Sequence, residues 1–138
     1  MKHADGIRCV GYARSAVGPV DRQVDEIRRR SGQVELLDVL REPGRSGLSL
    51  DRPQLKKLLR MVRRGRVDAV VVARLTALSR SPEHLDHLLD EFEHHDVRLI
   101  ALAEGIDATT VDGRVRMELA RNITRALRSM DARKARTA

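Results

Sequence analysis

Val67-Asp68-Ala69-Val70-Val71-Val72-Ala73 decides how this chain folds. The run is β-branched and nearly continuous, without the alternation of a half-buried strand. It predicts a central strand covered on both faces. On its upstream side, Pro53 suits the first turn of a helix, Leu55, Leu58, Leu59 and Val62 recur at helical spacing, and Gly65 stops the run. On its downstream side, Ser81 can cap and Pro82 can start a helix whose stripe is Leu85, Leu88, Leu89 and Phe92. Val97 to Leu102 then reads as a further strand.

The same alternation continues to both ends. Ile7 to Ala13 reads as the first strand, and Val20, Val24 and Ile27 mark a helix that ends through Arg28-Arg29-Arg30 near Gly32. Val34 to Leu40 reads as the second strand. Arg41 to Asp51, rich in Gly, Ser and Pro, reads as a mobile loop, and Arg74 to Ser81 as another loop. After a polar turn through Asp107, a long helix begins near Val111 with the stripe Val115, Leu119, Ile123, Ala126 and Met130. Strands alternating with helices imply βαβ crossovers and a mainly parallel sheet. Residues 131–138 are small, polar and basic, and are expected to fray as a tail.

Composition narrows the function. Of 138 residues, 41% are hydrophobic, which argues against disorder. Tyr12 and Phe92 are the only aromatics, so stacking platforms for single-stranded nucleic acid are scarce. Lys and Arg outnumber Asp and Glu by 27 to 20, a balance that favours polyanions. Arg dominates the excess, and its planar fork grips phosphate in a bidentate way. Cys9, the single cysteine, sits among apolar neighbours and reads as a buried thiol. No apolar run reaches the roughly 20 residues of a membrane span, and Met1 to Asp5 leads into no signal core, so a cytoplasmic location is expected.

In parallel α/β sheets ligands sit beyond the carboxyl ends of the strands. Arg14 follows strand one, Arg45 and Arg52 follow strand two, and Arg74 and Arg80 follow strand three. Convergence of these groups would make an anion site able to hold a phosphodiester. Gly11-Tyr12-Ala13-Arg14 lacks the glycine pattern of a dinucleotide site, and no paired acids end strand one, against a phospho-acceptor domain. His84 and His87 lie three apart but off the leucine stripe, so solvation is expected rather than metal binding.

Val10-Gly11-Tyr12-Ala13-Arg14, Asp51-Arg52-Pro53, Leu75 to Arg80, Glu104-Gly105-Ile106-Asp107 and the long last helix occur in an order that resembles the catalytic domain of serine recombinases, the resolvase/invertase family. The resemblance covers nearly the whole chain. It implies a three-layer α/β domain over residues 1–130, with a mainly parallel sheet of about four to five strands and a long C-terminal helix, followed by the basic tail. It also implies DNA as partner, a serine that attacks a phosphodiester, arginines that clamp the phosphate, no metal or nucleotide cofactor, and homo-oligomers (dimers, possibly tetramers) built on the last helix. A helix-turn-helix domain normally follows that helix. The residues after Met130 leave no room for one, so sequence-specific docking is expected from a partner or not at all.

Residue by residue, the match assigns Arg14, Arg52 and Arg80 to the clamp and Gln23 to its support, and it matches Arg128 to an arginine of the last helix. Arg45 and Arg74 join these as expected phosphate contacts. The family's Tyr-Ala-Arg-x-Ser reads Tyr12-Ala13-Arg14-Ser15-Ala16 here, so the nucleophile position holds a methyl group. Ser15 lies one residue early, and one residue at a strand end turns a side chain to the other face. The family's Leu-Asp-Arg-Leu-x-Arg reads Leu75-Thr76-Ala77-Leu78-Ser79-Arg80, which removes one clamp arginine and its acidic neighbour. An acid of the last helix aligns with Leu127. Three readings follow: a degenerate domain that binds DNA without cutting it, a strand-transfer enzyme using Ser15 with Arg14, Arg52 and Arg80, and an interaction module for an intact recombinase.

Overall fold

The computed structural model describes residues 6–30 and 35–137, with side chains through Met130. The elements in order are β1 (Arg8–Ser15), α1 (Asp21–Arg30), β2 (Glu35–Pro43), α2 (Pro53–Arg63), β3 (Ala69–Val72), α3 (Leu75–Leu78), α4 (Pro82–His94), β4 (Arg98–Ala101), β5 (Ile106–Asp107) and α5 (Val111–Thr137). They form a five-stranded sheet in the order β2-β1-β3-β4-β5. The first four strands pair in parallel, and β5 returns antiparallel on β4.

The valine run behaves as its composition dictates. Ala69 to Val72 are fully buried, and successive side chains serve two different cores. Val70 and Val72 join Val10, Tyr12, Leu40, Leu99 and Ala101 under α2 and α4, with Met117 and Ala120 of α5 packed alongside. Ala69 and Val71 join Cys9, Ala13, Val39 and Ile100 under Val24 and Ile27 of α1 and Val20 just before it. Three layers result, with α1 alone on one face. That face is tight at Gly11, where a Cβ would lie 3.0 Å from Ile27 Cγ2 and 3.1 Å from Val39 Cγ2.

Local signals fix the helix ends. Ser81 Oγ accepts the His84 N–H at 3.2 Å, with Pro82 in the first helical position of α4. Gly65 at φ 65° ends α2. The cap of α2 comes from elsewhere in the chain: the Glu42 carboxylate accepts the N–H groups of Leu55 at 2.9 Å and Gln54 at 3.1 Å. An acid at that end also suits the helix dipole.

Three expectations need correction. β2 runs on through Arg41, Glu42 and Pro43, because the ladder with β1 continues to the Ser15–Pro43 pair, so the loop is only 44–52. The loop after β3 contains the short helix α3. The tail is not separate from the last helix, since α5 continues to Thr137; Ala, Arg and Lys there favour helix, and no Gly or Pro intervenes. The apolar stripe of α5 faces solvent, with Val115, Leu119, Ile123 and Met130 each exposed by 59% or more. The predicted helix stop at Gly32 and strand start at Val34 lie outside the described residues.

Candidate functional site

β1 ends, α1 begins and α3 passes at one rim of the sheet. An open cleft of about 780 Å³ lies there, lined by Arg14, Ser15, Ala16, Pro19, Asp21, Arg22, Gln23, Arg74, Thr76, Ala77 and Arg80. Four of these are arginines and one is an acid, Asp21, which is already paired with Arg41 at 3.0 Å. The cleft is therefore positive.

Arg14 forms its floor. The residue is 6% exposed, and Gln23 holds its backbone from both sides: the Arg14 N–H donates to Gln23 Oε1 at 3.2 Å, and Gln23 Nε2 donates to the Arg14 carbonyl at 2.8 Å. Its guanidinium donates to the carbonyls of Ala77 (3.1 Å), Arg45 (3.1 Å) and Thr76. Burial pulls its pKa down, and the charges of Arg52 and Arg80 add to that. An arginine stays charged under such a shift. No carboxylate pairs with Arg14 among the described residues, so carbonyl dipoles alone offset its charge and the field at the cleft stays positive.

Gly47 makes the arrangement possible. A Cβ there would sit 2.7 Å from both Arg14 Nη2 and Arg80 Cγ. Only a bare backbone lets these two arginines pass the same point, and the Gly47 carbonyl also accepts the Arg80 N–H at 2.8 Å.

The sequence-predicted residues separate into two groups. Arg14, Ser15, Gln23, Arg74 and Arg80 line the cleft, as does Ala16. Arg52, Arg45 and Arg128 do not. Arg52 has no exposed surface. Its guanidinium lies 5.8 Å over the Tyr12 ring and donates to Tyr12 Oη (3.1 Å) and to the carbonyls of Ser49 (2.9 Å), Ala77 (3.3 Å) and Leu78. It holds the loop between β2 and α2 to α3. Arg45 contributes its backbone, whose N–H donates to the Ser15 carbonyl at 3.1 Å. Arg128 donates to Asp86 Oδ2 of α4 at 3.1 Å.

Ser15 ends β1, half-buried, and its hydroxyl donates to the Val17 carbonyl at 2.6 Å. Sequence reasoning missed Arg22 and Gly47. Arg22 could have been found, because a helix starting just past β1 sets its first turn on the same rim. Gly47 carries no local signal, since its role depends on two arginines remote in sequence.

The cleft can bind an anion along several guanidinium groups. Its edge at residues 16 and 77 carries methyl groups, which can neither attack nor donate.

Comparison with known proteins agrees with this architecture. The sequence model of the family described as "Resolvase, N terminal domain" matches residues 9–138. The transposon Tn917 resolvase of Enterococcus faecalis is 32% identical over 106 residues, covering 75% of this chain and 54% of that protein. The DNA-invertase of Escherichia phage P1 is 33% identical over 105 residues, covering 76% and 54%. The chain thus spans about half the length of these curated relatives. Among solved structures, the N-terminal catalytic domain of TP901-1 integrase superposes with a TM-score of 0.78 at 25% identity, covering 91% of this chain and 97% of that one. A resolvase family site-specific recombinase from Streptococcus pneumoniae shares the fold, with a TM-score of 0.78 at 19% identity over 95% of this chain and 91% of that one.

Proposed function

The chain belongs to the resolvase N-terminal domain family of serine recombinases, and from that premise we propose that it grips the phosphates of duplex DNA in the Arg14–Arg74–Arg80 cleft without breaking the strand. The observation that carries this reading is that Ala16 and Ala77 line the same cleft as the retained arginines. These are the positions where the family pattern implies the nucleophilic serine and a clamp arginine. Loss of the hydroxyl removes the covalent step. Loss of one preorganised donor lowers the rate of such a step by a further factor on the order of 10²–10³.

Within the cleft, Arg14 sets the floor, Arg74 and Arg80 meet phosphate oxygens, and Gln23 positions Arg14. Arg22 extends the contact along α1. Arg52 acts by fixing the loop that carries Gly47. Contacts of this kind go to phosphates and so carry no base code. The exposed stripe of α5 supports homo-oligomers, or docking of an intact recombinase, through that helix. A DNA-handling domain with one buried thiol fits the cytoplasm.

A second reading keeps Ser15 as nucleophile, because Ser15 also lines the cleft. One experiment separates the two. The protein is incubated with supercoiled DNA, denatured, and examined for a protein–DNA adduct. Binding without adduct is expected, with affinity that falls steeply as salt rises. An adduct that disappears in Ser15→Ala overturns the non-cleaving reading, and salt-insensitive or absent binding overturns the DNA reading altogether.

A further inference from the structure

The end of the sheet opposite the cleft carries a second concentration of positive charge. α2 starts beside Glu42, at the carboxyl end of β2, and runs back for about 16 Å at 1.5 Å per residue. It delivers Gly65 to the amino ends of the strands, where Arg8 Nη2 donates to the Gly65 carbonyl at 3.0 Å. A depression of about 420 Å³ lies there, lined by Lys57, Arg60, Met61, Arg64 and Arg66. Four of the five are cations, and none is an acid.

The simplest account of basic residues at a helix C-terminus is the helix dipole, whose effect fades beyond the last turn. It covers Arg60 but not Lys57, a turn earlier, nor Arg66, past the end of the helix. Lys57 and Arg60, three apart, and Arg60 and Arg64, four apart, share one face and repel each other. Several other exposed cations are matched with acids: Arg63 with Glu91, Lys56 with Asp51, Arg41 with Asp21, and Arg30 with Glu26. Lys56 and Arg63 belong to the same helix as the unpaired stripe. Among the described residues, the side chains of Lys57, Arg60, Arg64 and Arg66 have no hydrogen-bond or ion-pair partner. No internal acid relieves this repulsion, so the stripe stays open to an external polyanion.

We propose that the stripe Lys57–Arg60–Arg64–Arg66 is a second surface for the phosphates of duplex DNA. One chain then holds DNA at both ends of its sheet. The inference rests on reading the chain as a DNA-handling domain, but it concerns a different set of residues from the cleft. The stripe has no aromatic side chain on which single-strand bases would stack. The eight residues of β1 separate the two surfaces by about 25 Å at 3.3 Å per residue.

The test is fluorescence anisotropy of the full chain on a labelled duplex about three helical turns long, between about 50 and 200 mM salt. R60Q/R64Q should lower the slope of log K against log salt by about 2, with weaker binding at the low-salt end. R60K/R64K should keep the slope, since it keeps the charge. R60K/R64K should melt with the unaltered chain and R60Q/R64Q no lower than it, because all four side chains are exposed and unpaired and the Gln variant only removes like-charge repulsion. R74Q/R80Q tests the cleft separately. An unchanged slope in R60Q/R64Q overturns the proposal, whatever R74Q/R80Q does. A reduced slope in R60Q/R64Q beside an unchanged one in R74Q/R80Q upholds it and overturns the cleft reading. No salt-dependent binding by the unaltered chain overturns both.

Discussion

At the residue scale, the site depends on groups with little chemistry of their own. Gly47 lets Arg14 and Arg80 lie against one backbone point, and a methyl group there would fall 2.7 Å from each. Gly47→Ala should therefore displace both arginines and weaken duplex binding at least tenfold, equal to about 1.4 kcal/mol, in an anisotropy titration. Gly47→Ala should also lower the melting temperature, whereas an Arg74→Gln control should lose affinity at unchanged stability. Cys9 gives a second test at this scale. Burial pushes its thiol pKa up to about 12, whereas in the unfolded chain it ionises near the ordinary value of about 8.5. The folded state thus retains a proton that the unfolded state releases between those values. Stability should fall as pH rises across that window, by up to about 1.4 kcal/mol per unit, and Cys9→Ala should flatten the decline in urea melts. Sequence reading set Cys9 in the core and Arg14 at the end of the first strand because their neighbours in the chain define those places. It could not foresee the surroundings of Arg52, whose partners Tyr12, Ala77 and Leu78 lie remote in the sequence. A loop arginine beside a strand end and a buried strut look alike until those carbonyls are in place.

At the scale of elements, β1, β3 and α4 were legible because period and punctuation agree along each: β-branched runs for the strands, and Ser81, Pro82 and the leucine stripe for the helix. The orientation of α5 was not, because periodicity identifies two faces without saying which one packs. Here the charged face turns inward. Glu83, Asp86, Asp90 and Glu93 lie along one side of α4 and receive Arg121, Arg125 and Arg128 of α5. Asp86 and Arg121 are each 6% exposed at the side chain, while Asp90 and Glu93 stand at the rim. Buried and rim acids should therefore respond differently. Asp86→Ala removes the buried acid shared by Arg121, Arg125 and Arg128 and should cost about 2–3 kcal/mol in denaturant unfolding, with Asp90 and Glu93 still facing Arg121. Glu93→Ala removes a solvated partner and should cost no more than about 1 kcal/mol. Equal losses at the two positions would mean that the network carries no buried core.

At the scale of the whole molecule, turning the arginines of α5 inward leaves Val115, Leu119, Ile123, Leu127 and Met130 facing solvent. An apolar stripe of this length on an otherwise charged surface marks an association site. A second α5 covers it most simply, because an identical stripe related by a two-fold axis is complementary to itself. Leu119→Glu with Ile123→Glu should then shift the protein from dimer to monomer in sedimentation at micromolar concentration. The variant should still fold, since these side chains are 60% and 63% exposed in the single chain and support no core, and it should melt lower than the dimer only by the stability that association supplies. Duplex binding should weaken as well, although no DNA-facing residue is altered. A dimer presents two clefts on one assembly, and tethering raises the effective concentration of the second contact. The loss should exceed tenfold on a duplex long enough to reach both clefts and vanish on one that reaches a single cleft. An unaltered chain that sediments as a monomer at every concentration, with or without DNA, would remove the self-pairing account and leave the stripe to a different protein.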